Sequence, residues 1–185
     1  MDARSPDWSP DGSTIAFGGG NASAPIGVHL YLMDADGSDV RQLSEVRGSD
    51  WAFVQVDWSH DGTMIAGQAG ADDNIYEWDI WTIPVDGSEP TNVGARTGGD
   101  EVLPTWAPDR NALAWWSSGV VLMEEGADPV ELRADSVGIP VWSPDGSLIA
   151  STSDAGAVVV MDLEGNVEST IDGAAGRVAW QPLFD

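Results

Sequence analysis

The sequence predicts an all-β fold, a β-propeller of four-stranded blades with four complete blades and one surplus C-terminal strand. Three observations predict it. A Trp-centred motif returns five times, its turns are made of Pro, Asp and Gly, and no window carries a helical period of useful length. The copies read PDWSPDG at Pro6–Gly12, VDWSHDG at Val56–Gly62, PTWAPDR at Pro104–Arg110, PVWSPDG at Pro140–Gly146 and VAWQP at Val178–Pro182. Their Trp residues, Trp8, Trp58, Trp106, Trp142 and Trp180, stand 50, 48, 36 and 38 residues apart. That period suits one four-stranded unit per copy.

Within each unit four strands, A to D from the inside outward, follow in one order. The motif closes an inner strand, and Pro-Asp-Gly then turns the chain: Pro presets φ, Asp bonds its own backbone two residues on, and Gly takes a positive φ. A second strand follows at Ser13–Gly19, Thr63–Gln68, Ala112–Trp116 and Ser147–Thr152. A third ends in an acidic, Gly-containing turn, at Val28–Gly37, Asp79–Gly87, Val120–Gly126 and Val158–Gly165. A fourth and more polar strand closes the unit at Asp39–Ser44, Glu89–Gly94, Asp128–Arg133 and Asn166–Ile171, where polarity protects an edge from pairing with other molecules. The blades therefore span 5–45, 50–95, 101–134 and 138–172, with an extra inner strand at 176–183, in a single domain over 1–185.

This repeat resembles that of the TolB-type, WD-repeat-like propellers and of the related peptidase propellers. The resemblance rests on the Trp-Ser-Pro-Asp-Gly of copies one and four, the Ile-Ala that follows, Leu30–Gly37 (LYLMDADG) and Val40–Ser44 (VRQLS). Copy two departs at His60, and copy three departs at Ala107 and Arg110. The resemblance implies a ring of six or more blades, so four blades and a spare strand leave three readings. The ring closes on itself, the chain is part of a larger propeller, or two copies pair as a homodimer into an eight-bladed ring. It also implies a periplasmic or other extracytoplasmic protein. The opening MDARSPDW has no basic-then-apolar signal segment, so either the protein is cytoplasmic or such an export signal lies outside these residues.

Charge narrows the partners. Thirty-one Asp and Glu stand against seven Arg and no Lys, for a formal net charge of −24. This repels phosphate backbones and anionic surfaces, which argues against nucleic acid, and no apolar run is long enough for membrane insertion. A protein or peptide of basic character fits the charge. The excess of Asp over Glu without Lys also resembles proteins of salt-adapted organisms. With no Cys, disulfides, thiolate chemistry and Cys-based metal sites are excluded.

Catalytic signatures are missing. There is no Gly-x-Ser-x-Gly elbow and no phosphate loop with Lys, and His29 and His60 read as strand and turn residues. No cofactor and no metal site is expected. Asp34, Asp36 and Asp39 alternate as calcium ligands would, but the bidentate Glu that completes such a loop is absent and an acidic turn explains them. The five motif Trp residues are expected to fill the space between blades, with their indole N–H groups bonded nearby.

Binding residues are sought on the face that carries the D-to-A and B-to-C loops, because these are long in blades one and two and short in blades three and four. The candidates there are Arg47, Trp51, Asp72, Asp73, Tyr76, Glu77, Trp78, Arg96, Asp100 and Glu101. The expected function is a non-enzymatic scaffold that binds a protein or peptide through that face. The alternatives are the substrate-gating propeller of a serine peptidase whose catalytic part lies elsewhere, or a carbohydrate-binding propeller.

Overall fold

The computed structural model describes residues 2–20, 29–43, 54–71, 74–94, 100–136, 138–173 and 178–181. They contain sixteen strands in four antiparallel sheets and no helix. Blade one holds β1 (Asp2–Trp8), β2 (Thr14–Gly20), β3 (His29–Asp34) and β4 (Arg41–Gln42). Blade two holds β5 (Val54–Trp58), β6 (Met64–Ala71), β7 (Asn74–Pro84) and β8 (Thr91–Asn92). Blade three holds β9 (Val102–Trp106), β10 (Ala112–Trp116), β11 (Val120–Glu124) and β12 (Val130–Arg133). Blade four holds β13 (Val141–Trp142), β14 (Ile149–Thr152), β15 (Val158–Met161) and β16 (Val167–Ile171). Every sheet pairs its strands in sequence order, so the A-to-B and C-to-D turns share one face and the remaining connections share the other.

The A-to-B turn is a side-chain device, built alike in three blades. Ser9 Oγ donates to Asp11 Oδ1 at 2.7 Å and accepts Thr14 N–H at 3.0 Å, while Asp11 Oδ1 also accepts Ser13 N–H at 2.9 Å. The same bonds recur at Ser59, Asp61, Thr63 and Met64, and at Ser143, Asp145, Ser147 and Leu148. Gly12, Gly62 and Gly146 take φ of 69°, 71° and 69°, which the turn requires and a Cβ would resist. Copy three lacks the hydroxyl and the Gly, and its substitutes tie blades together instead. Arg110 grips Asp109 at 2.8 and 2.9 Å, donates to Gly146 O at 3.0 Å and lies 5.5 Å from the Trp142 ring. Asn111 Nδ2 reaches back to Asp61 Oδ2 at 2.8 Å.

The core lies between blades rather than inside them. Leu30 and Leu32 of blade one meet Trp58, Ile65 and Ile83 of blade two. Ile80 of blade two meets Trp106, Leu113 and Trp115 of blade three. Leu122 of blade three meets Trp142, Ile149 and Met161 of blade four. The sheets of blades two and three each bury one face against the preceding blade and the other against the following one, which is why their second and third strands are apolar on both sides.

Two expectations about the motif Trp residues need correction: the buried Trp106 indole N–H has no hydrogen-bond partner among the described residues, and the five do not pack alike. Trp58, Trp106 and Trp142 are 7–9% exposed, whereas Trp8 is 53% exposed. The first three each pack on a preceding blade; among the described residues, no strand of blade four pairs with β1 or packs on it comparably. Blade-to-blade packing runs one to two, two to three and three to four. Beyond blade four, Val178–Gln181 form no described ladder, but Trp180 Nε1–H donates to Val141 O at 3.0 Å.

Candidate functional site

The expected loop face proves to be partly strand. GADDNIYEW (Gly70–Trp78), the B-to-C segment of blade two that holds the candidates from Asp72 to Trp78, is ladder for much of its length: β6 and β7 pair up to Ala71 and Asn74, leaving two residues between them. The ladder shifts from Gly70–Trp78 to Ala71–Asn74, so Ile75, Tyr76 and Glu77 form a bulge near the tip of a tall hairpin. Tyr76, Glu77 and Trp78 therefore lie on β7. Arg47, Trp51, Asp72, Asp73 and Arg96 fall outside the described residues.

Blade three enters against this hairpin. Asp100 Oδ1 accepts the Trp78 N–H at 3.3 Å, and the Glu101 N–H donates to Trp78 O at 2.6 Å. The structure thus brings Trp78, Asp100 and Glu101 together from two blades. Trp78 is half-buried, Asp100 is exposed and Glu101 is fully buried. The Glu101 carboxyl rests over Gly94, where an added Cβ would stand 1.6 Å from Glu101 Oε2 and 2.7 Å from Ile80 N. Asp79 and Asn92 join the cluster, with Asn92 Nδ2 donating to Asp79 Oδ2 at 2.7 Å and Asn92 Oδ1 accepting the Gly94 N–H at 3.0 Å. The sequence reading missed Asp79, Asn92 and Gly94, because they lie in strand or strand-end segments that carry no motif.

A second polar arrangement runs along the innermost strands. Ser5, Gln55 and Leu103 each stand three residues before a motif Trp and take φ of 46°, 57° and 62°. Each marks a bulge where the ladder to the second strand skips. Past the bulge, the residue before the Trp reaches the next blade. Asp7 Oδ2 accepts Trp58 N–H at 2.8 Å, and Asp57 Oδ2 accepts Trp106 N–H at 2.5 Å. The carbonyls of Asp7 and Thr105 accept the indole N–H of Trp58 at 3.3 Å and of Trp142 at 3.0 Å.

Burial sets the charge state of these two carboxyls. Desolvation pushes Asp57 up to about 7, helped by repulsion from Asp7 and opposed by the Trp106 N–H and the Thr105 hydroxyl. Asp7 is also raised, again by desolvation against the Trp58 and Trp8 N–H groups. The turn carboxylates behave oppositely. Hydrogen bonds from Ser9 and Ser13 bring Asp11 down to about 2, and those from Ser143 and Ser147 do the same for Asp145. Asp34 and Asp36 form a turn, with Asp36 Oδ1 accepting Ser38 N–H at 2.9 Å. Among the described residues, no three His, Asp or Glu side chains converge as metal ligands would.

No protein-family model matches the sequence. The Ciliary WD repeat-containing protein ctxp80 of Euplotoides octocarinatus is 28% identical over 153 residues, covering 83% of this chain and 18% of that protein. TolB from Acinetobacter baumannii superposes with a TM-score of 0.68 at 18% identity, over 94% of this chain and 44% of TolB. The dihydro-heme d1 dehydrogenase NirN superposes with a TM-score of 0.67 at 18% identity, over 92% of this chain and 37% of that one. The chain spans less than half of each protein. With four sequential antiparallel sheets and a Trp-centred repeat, it is by fold a β-propeller repeat protein similar to the TolB and WD-repeat propellers.

Proposed function

We propose that the chain is a non-enzymatic scaffold that binds a basic protein or peptide through the face bearing the D-to-A and B-to-C connections of blades one and two. The observation that carries this reading is the meeting of Trp78, on β7, with Asp100 at the entry of blade three. The half-buried Trp78 and the exposed Asp100 that accepts its backbone N–H suit a Lys or Arg side chain, which can lie on the ring and pair with the acid. The net charge of −24 draws cationic partners to the whole surface. The likeness to TolB and WD-repeat propellers supports a scaffolding role in general and does not select a partner. The test is binding of an immobilised basic peptide library, read with wild type, Trp78→Ala and Asp100→Asn at low and molar salt. The reading expects a subset of peptides to be lost by both variants. Peptide binding that neither variant weakens would overturn it.

A further inference from the structure

A groove of about 370 Å³ lies where the outer part of blade three meets the C-to-D turn of blade four, at the periphery and away from the Trp78 face. Its floor is apolar: Leu122, Leu132 and Leu163, continuous with the core between these blades, and Val130 at its mouth. Its rim is acidic, formed by Glu124, Asp128, Glu131 and Glu164. Arg110 Nε stands 3.6 Å from Glu124 and offsets part of that charge. Gly165 closes one wall, where an added Cβ would stand 2.6 Å from Leu132 O.

The repeat supplies its own control. In the pairing of the third strand with the fourth, Val130 lies opposite Leu122. Arg41 opposite Leu32, Thr91 opposite Thr82 and Ser169 opposite Val160 hold the same register in the other blades. Three blades put a polar residue there, while blade three puts a Val that is 58% exposed. The covering residue from the next blade varies too. Leu163 and Val85 are apolar after blades three and one, whereas Glu125 stands in that register after blade two. The junction of blades three and four thus combines an open apolar floor with a carboxylate rim. Those features match a segment that offers one apolar side chain flanked by cations.

We propose that this groove binds an extended peptide that inserts a single bulky apolar side chain between Leu132 and Leu163 and sets flanking Lys or Arg residues on the acidic rim. The proposal concerns a different surface from the Trp78 face and does not depend on it. The test uses a labelled synthetic nonapeptide, Gly-Ser-Lys-Lys-Leu-Lys-Lys-Ser-Gly, and a counterpart with Gly in place of its Leu, both followed by fluorescence anisotropy. The Leu peptide is expected to bind about tenfold tighter than the Gly peptide, the expected effect of burying one such side chain. Val130→Arg, which reproduces the Arg41 of blade one and so suits the fold, should abolish that preference at an unchanged circular dichroism spectrum. Trp78→Ala should leave it intact. Equal binding of the two peptides, no binding of either, or a preference that survives Val130→Arg would overturn the proposal. A dimer by light scattering that Val130→Arg dissociates would assign the groove to a second copy, and overturn it as well.

Discussion

Asp57 shows how much one residue owes to the blade beside it. Its carboxyl titrates near 7 in the folded chain and near 4 when unfolded, so the folded state holds an extra proton between those values. The stability it contributes is fully present below about 4 and is lost as pH rises through about 7. The expected result is a melting temperature that rises from pH 8 to pH 5, and a flatter profile for Asp57→Asn, whose amide oxygen still accepts the Trp106 N–H. Asp11 and Asp145, held down to about 2, have the opposite sign: their contribution is present above about 4 and fades only as pH falls toward 2. Gly94 is a second residue whose importance comes from a neighbour. Gly94→Ala would drive a methyl into the Glu101 carboxyl, at a cost of about 2–3 kcal/mol measurable by urea unfolding. The sequence displays an Asp before Trp in copies one and two, but not its titration, which depends on contacts 49 to 51 residues away.

At the scale of the element, the turns were readable and the hairpin was not. Every donor and acceptor of the turn lies within the six residues from Ser9 to Thr14 and their counterparts, so sequence alone is enough. Ser59→Ala removes a buried hydroxyl that donates to Asp61 and accepts the Met64 N–H, and is expected to cost about 1–2 kcal/mol in thermal or chemical unfolding. Blade three carries Ala107 at that position by nature, and Arg110 and Asn111 tie it to its neighbours. GADDNIYEW reads as a loop because Gly, Asp and Asn are turn formers, yet the ladder of β6 with β7 runs through most of it. Pairing between strands is a cooperative property of two segments, and composition within one segment under-reports it. The three residues that the bulge adds to β7 had no sequence signal.

At the scale of the whole molecule, the same side chain has different worth in different blades. Trp142→Ala should cost about 3–5 kcal/mol, the usual price of emptying a packed aromatic site. Trp8→Ala should cost less than about 1 kcal/mol, because over half of that side chain already meets solvent. Parallel urea titrations of the two variants check this, and equal losses would mean that Trp8 is covered in solution. The period and register of the repeat gave the blade count, while the exposure of Trp8 was hidden because a motif does not record what stands before its first copy. The positions before the motif Trp residues read Asp7, Asp57, Thr105 and Val141, and the acids end at Thr105, which bonds Asp57, a carboxyl already short of solvent and repelled by Asp7. Divergence there is an electrostatic limit on how uniform the repeat can become: Thr105→Asp should melt lower than wild type above pH 7 and recover on acidification, so an array idealised to one consensus unit would be pH-labile along its axis.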